Sequence, residues 1–261
     1  MIPIHYHSLI QAAVYHTLEP PLASFIHEHG IRYQTRQFRL FTFSRILGAY
    51  ELSPDKHRIR FSSHSGIIIS SPIDRILQSL AKRLLEHPIL QVGSVQAAVT
   101  DIHAETLPAL TDNVVRLRTM SPIVAYNTMQ RLDQRKYTLY RDPSDPEFTR
   151  LLSENLHHKL AGLSEWAGQP VPKLSDQPLR ILSHHSQLRI LKYRDIIIKG
   201  YDGIFTIVGD PVLLQLGLES GIGSKNSQGF GCVTRLATPA TTPKEASFDA
   251  SGHAPTRVGL S

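Results

Sequence analysis

The run Gly221-Ile222-Gly223-Ser224-Lys225-Asn226-Ser227-Gln228-Gly229-Phe230-Gly231 sets four glycines around a lysine and several small polar residues. Glycine takes φ > 0 without steric cost, and unhindered amides can approach a polyanion closely. Upstream, Pro211 to Ser220 reads as a helix, and downstream Phe230 to Arg235 reads as a short strand. Nucleotide-binding loops run the other way, from strand to helix, which argues against a Walker or dinucleotide site.

Bulk properties narrow the partner. The 261 residues carry a formal charge of +6 and a pI near 9.5, which favours an anionic partner, nucleic acid ahead of membrane. Cys232 is the single cysteine, so the chain has neither a disulfide framework nor a cysteine-based zinc site, and a reducing cytoplasm is the expected compartment. The 14 histidines include close pairs such as His5/His7, His27/His29, His157/His158 and His184/His185. They lack acids or cysteines at ligand spacing, so neither a metal site nor a cofactor is expected. No stretch reaches the roughly 20 apolar residues of a membrane helix.

Outward from the loop, the second half reads as a strand at Val114 to Met120, a helix from Glu147 through Leu160, and strand runs at Leu179 to Ser183 and Gln187 to Lys192. Further runs at Ile196 to Tyr201 and Gly203 to Val208 precede the Pro211 helix. The first half approximates the same plan. It has a helix over residues 7–18, a short helix from Pro20-Pro21 to Gly30, and strands at Phe38 to Phe43, Arg58 to Ser62 and Ile67 to Ser70. A helix opened by Pro72 and a mostly extended run from Leu90 to Ile102 complete it. The fold class is α+β, with tandem ferredoxin-like, RNA-recognition-like domains at residues 1–108 and 113–236. Residues 237–261 lose apolar periodicity and read as a disordered tail outside the fold.

The glycine run with its flanks Leu216 to Ser220 and Cys232-Val233 resembles the C-terminal signature of the CRISPR-associated repeat-RNA endoribonucleases of the Cas-six type. Ile2 to His7 followed by Leu9 to Tyr15 is similar to that family's first helix. Phe25-Ile26-His27-Glu28 and Phe38 to Ser44 resemble its next two blocks. The blocks occur in the family's order and bracket nearly the whole folded region. One departure stands out. Relatives begin with a strand ahead of the first helix, whereas here the helix motif starts at Met1. Either the first sheet lacks that strand, or the native chain begins upstream of Met1.

The resemblance implies a metal-independent ribonuclease that cuts the repeats of a CRISPR precursor transcript into guide RNAs, leaving 2′,3′-cyclic phosphate and 5′-hydroxyl ends. Such cleavage needs a base for the 2′-hydroxyl, a donor for the leaving 5′-oxygen and a cation for the phosphorane. His27 matches the family's histidine and would be the base, imidazole being a side chain that titrates near ~6.5. Tyr15 falls on the family's tyrosine and would donate to the leaving oxygen or orient the phosphate. Arg39 matches a position where some relatives carry lysine; a guanidinium can stabilise the phosphorane but cannot serve as proton donor. His29 and Arg36 are the back-ups.

In this picture the loop grips the RNA backbone, through Lys225 as a point charge and amides around Gly223 to Gly229, with Gly221, Asn226, Ser227 and Gly231 as its frame. Arg180, Arg189, Lys192, Arg194 and Lys199 decorate the second-domain hairpin, where family members place part of the RNA stem. The expected partner is CRISPR repeat RNA, with other subunits of an effector complex as further candidates and a monomer or homodimer as the assembly. The alternative is a repeat-RNA-binding subunit of the same fold that does not cleave.

Overall fold

The computed structural model describes residues 1–130, 133–236 and 256–260. In the first half, helix α1 (His7–Thr17) buries Ile10, Ala13 and Val14 on one face, the 3.6-residue stripe that makes it a helix. Pro20–Ser24 restarts the helix, and a single π-turn, Phe25–His29, ends at Gly30 with φ 55°. Strands β1 (Thr42–Phe43) and β2 (Ile67–Ser70), helix α2 (Asp74–Glu86) and strand β3 (Ile102–Thr106) follow. Phe41, Phe43, Ile69, Ile76 and Leu80 close the core over α1.

The second half has its own core. Strand β4 (Val114–Thr119) alternates buried and exposed, helix α3 (Pro146–Trp166) brings Phe148, Leu152 and Leu156 inward, and β5 (Arg180–Tyr193) pairs with β6 (Ile196–Val208) as one long hairpin. Helix α4 (Pro211–Ser220) and β7 (Val233–Arg235) finish it. Both α3 and α4 start on an aspartate, Asp145 or Asp210, whose carboxylate accepts a backbone amide just ahead of the first turn's own bonds. The four short strand runs read between Leu179 and Val208 are in fact two continuous strands. The polar residues Ser183 to Ser186 stay in the ladder because Gly203, opposite Ser186, lets the backbones close: a Cβ there would lie 2.0 Å from the His185 carbonyl oxygen. A further hairpin, Tyr126–Gln130 with Lys136–Tyr140, answers to no sequence expectation.

Sheet order shows the tandem plan. The second sheet runs β5–β6–β4–β7, so its first strand lies between its third and fourth. The first sheet runs β3–β8–β2–β1, where β8 is Thr256–Leu260. That C-terminal strand, antiparallel to both β2 and β3, occupies the place that the opening strand takes in the second domain. Two sequence expectations change here. The chain has a short strand before α1, Ile2–Pro3, but it pairs with Arg58–Phe61 outside the main sheet. Residues 256–260 of the expected tail belong to the fold, because an empty slot would leave two rows of backbone donors and acceptors without partners. Residues 237–255 and 261, the rest of that tail, lie outside the described residues. Among the described residues no helix is long and apolar enough to cross a membrane.

Contacts between the domains include an apolar patch and a ring stack. Ile31, Phe38 and Leu40 pack with Leu163 of α3, and the ring of His7 stacks between Tyr6 and Phe230, with centroids at 5.4 and 5.2 Å. His7 is buried with neither ring nitrogen hydrogen-bonded, and burial pushes its pKa down to about 4. Replacing it by phenylalanine keeps the stack and removes two unsatisfied polar atoms. His7→Phe is therefore expected to stabilise by roughly 1–3 kcal/mol. The unfolded imidazole gains its proton near ~6.5, above the folded value, so the wild type loses stability as pH falls from there to about 4. Thermal melts at pH 7 and pH 5 should show the variant more stable at both, with a wider margin at pH 5. An unchanged margin would refute the assignment.

Candidate active site

Tyr15 projects from α1, and the π-turn presents His27 to it edge-on, with ring centroids 5.3 Å apart. Carbonyls at the end of a helical segment need outside donors. Here the Arg39 guanidinium donates to the His27 carbonyl oxygen at 3.1 Å, and the Gln37 amide donates to the carbonyls of Glu28, at 3.0 Å, and His29. The strand pair Ile31–Tyr33 and Arg36–Phe38 thus holds the turn that carries His27, and Gly30 is required where they meet, since a Cβ would sit 2.7 Å from the Phe38 oxygen. The His27 ring is exposed, whereas the Tyr15 hydroxyl is buried with no partner in good hydrogen-bond geometry. Burial pushes the Tyr15 pKa up to about 12, against the opposing pull of the nearby Arg39 charge. His29 is exposed beside Phe25, and Arg36 faces the cavity described below.

The glycine loop is folded on itself more tightly than a free cradle. Gly221, Gly223, Gly229 and Gly231 have φ between 73° and 86°, and Lys225 is left-handed at 64°. A Cβ at Gly229 would lie 2.3 Å from the Phe43 ring. The amides of Ser224, Gln228, Gly229 and Gly231 donate to Val124, Lys225, Asn226 and Pro122 carbonyls, so three of the seven donors expected over Gly223 to Gly229 are committed within the protein. Close packing, more than free amides, is why glycine is needed. Asn226 is buried, and its side-chain amide donates to the Phe230 carbonyl at 3.0 Å. Ser227 offers its carbonyl to Gln11 of α1 at 2.8 Å.

Gln11 and Tyr15 stand one turn apart on the same face of α1, so the loop from the far end of the chain and the Tyr15–His27 pair share that face. Sequence reading missed two residues of this junction. Tyr193, at the end of β5, bonds the Gln11 side chain. Lys159 of α3 lies under the loop, buried and, among the described residues, without a carboxylate contact. The spacing Leu152, Leu156, Lys159, Leu160 places that lysine on an apolar stripe, which is the signal that could have found it.

Between the domains a cavity of about 650 Å³ opens beside these groups, lined by Arg36, Arg39 and Lys225 among others. Lys225 is half-buried, its ammonium 5.1 Å from the centre of the Tyr126 ring, and burial lowers its pKa. The hairpin cations divide. Arg189 is engaged by Asp202, which also binds Arg45 at 2.6 Å, so it belongs to a separate ion-pair cluster. Arg194 lies over the Tyr193 ring, Lys192 is exposed with its amide donating to His5, and Lys199 is exposed on β6, as is Arg180 on β5. Among the described residues no three histidine, cysteine, aspartate or glutamate side chains converge as a metal-ligand set.

The family model "CRISPR associated protein Cas6, C-terminal" matches residues 105–235, half of the 261-residue chain. The chain belongs to the Cas6 family. This Cas6-family chain is 25% identical over 248 residues to the CRISPR-associated endoribonuclease Cas6 1 of Methanocaldococcus jannaschii, covering 90% of this chain and 88% of that one. It is 28% identical over 198 residues to an endoribonuclease-like Cas6 protein of Pyrococcus furiosus, covering 74% and 77%. Its fold matches the solved structure of a Cas6-related gene product from Pyrococcus furiosus with a TM-score of 0.73 at 25% identity, over 90% of this chain and 92% of the other. The tandem ferredoxin-like architecture and the family resemblance read from the four sequence blocks are thus supported independently.

Proposed function

We propose that this chain is an endoribonuclease that cuts CRISPR repeat RNA in the precursor transcript, without a metal ion, leaving a 2′,3′-cyclic phosphate and a 5′-hydroxyl. The observation that carries the reading is the shared face of α1, where the Tyr15–His27 pair and the glycine loop lie together. The naming of the Methanocaldococcus jannaschii relative as an endoribonuclease supports the substrate class.

His27 takes the 2′-hydroxyl proton; the 2′-oxygen forms its bond to phosphorus, and the bond from phosphorus to the 5′-oxygen breaks. Tyr15, a neutral phenol whose hydroxyl lies near the Arg39 guanidinium without a well-formed hydrogen bond, is suited to donate to that leaving oxygen. Arg39 holds the His27 turn and supplies charge for the phosphorane, while Lys225, with Arg36, holds the strand electrostatically.

The test is a repeat RNA incubated with the protein in excess chelator. Cutting should persist, the 5′ ends should accept phosphate from polynucleotide kinase directly, and the 3′ ends should resist phosphatase until acid opens the cyclic ester. Cutting abolished by chelator would overturn the metal-free mechanism. Tight binding with no cutting would favour the non-cleaving RNA-binding subunit instead.

A further inference from the structure

Lys159 is 2% exposed, and among the described residues its ammonium has no carboxylate partner. Its Nζ donates to the Gly221 carbonyl at 2.7 Å, to Asn226 Oδ1 at 2.7 Å and to Ser220 Oγ at 3.2 Å. Three donors meet three acceptors, and they join two structures. Ser220 and Gly221 are the C-terminal end of α4, where orphan carbonyls and the negative end of the helix dipole favour a cation. Asn226 is the middle of the glycine loop, and its own amide reaches on to Phe230, whose carbonyl also accepts from Thr42 of β1 at 3.0 Å. A chain of bonds therefore runs from α3 through the loop to the first domain. An aliphatic residue in this place would fill the stripe on α3 equally well. Removing the ammonium would leave the Ser220, Gly221 and Asn226 oxygens short of a donor in a buried setting, which is costly.

We propose that Lys159 is a positioning residue of the RNA grip: from beneath, it fixes the glycine loop so that Lys225 faces the interdomain cavity. This rests on the reading of that cavity wall as the RNA-holding surface. The loop geometry itself can be tested without RNA.

Two measurements decide the matter. At pH 7, hydrogen exchange of the Ser224, Gln228, Gly229 and Gly231 amides should be about tenfold faster in Lys159→Met than in the wild type, while core amides in β6 stay unchanged. The variant's Kd for a repeat RNA made non-cleavable by a 2′-deoxy substitution should rise at least tenfold, with turnover at saturating cleavable RNA changed less than threefold. A folded Lys159→Met protein with wild-type RNA affinity would overturn the proposal. If Lys159→Met does not fold, Asn226→Ala, which removes one acceptor of the same ammonium and keeps the lysine, takes its place, and wild-type loop exchange with wild-type RNA affinity overturns the proposal. A wild type that neither binds nor cuts repeat RNA would count against the endoribonuclease reading, with the exchange difference still deciding the role of Lys159 in the loop.

Discussion

His27→Ala is expected to cut repeat RNA about 10²–10⁴-fold more slowly than the wild type, the range for loss of a positioned general base. The fold should survive. The His27 ring is exposed, and the contact it forfeits is the edge-on one with Tyr15, while the turn is held through backbone carbonyls that alanine retains. RNA affinity should fall little, because Lys225 and Arg36 lie in the cavity wall and not in the His27 turn. The loss should therefore be in the rate at saturating RNA and not in KM. Single-turnover cleavage alongside a binding titration separates the two. Equal cleavage rates for variant and wild type would remove His27 from the chemistry and pass the role of base to His29, two residues on in the same turn.

Gly231→Ala should destabilise the protein by about 2–5 kcal/mol, summing the left-handed backbone cost and the overpacking cost. At φ 73° a Cβ would lie 2.0 Å from the Ile222 carbonyl oxygen and 2.7 Å from Asn226 Nδ2. The backbone cannot easily retreat. Gly231 donates to Pro122 and accepts from Ile222, both at 2.8 Å, so relief of the clash breaks a bond. Gly168→Ala is the control. Its φ is 64°, but nothing lies within 4 Å of the added methyl, so only the backbone cost of roughly 1–2 kcal/mol applies. Melts of the two variants should differ by several degrees, and RNA binding should fall only for Gly231→Ala. Equal melting temperatures would mean that the loop is not packed as described.

Much of the architecture was legible because it follows from local pattern. The stripe Ile10, Ala13, Val14, Leu18 and the Pro211 helix start are short-range signals, and the structure has helices at both. The failures are long-range. The polar middle of β5 looks like a break between strands until β6 lies beside it and Gly203 permits the approach. Thr256–Leu260 has no periodicity of its own to distinguish it from a tail; a five-residue strand is defined by the slot between β2 and β3. The glycine run marked a special loop, but its glycines serve the contacts of Gly229 with Phe43 and Gly231 with Ile222, which no local reading contains.

Composition and helix periodicity were enough to read an α+β chain with a basic balance, since these depend on neighbours within a few residues, and the four ordered motifs carried the resemblance to the Cas6 family. Tertiary structure alone decided that Tyr15 and His27 meet, that Gln11 carries the loop to the same helix face, and that Lys159 lies beneath it. Those contacts join residues separated by 12, 216 and 67 positions or fewer along the chain. Side-chain type records which bonds a residue can make, but its partner is chosen by the packing of two cores against each other.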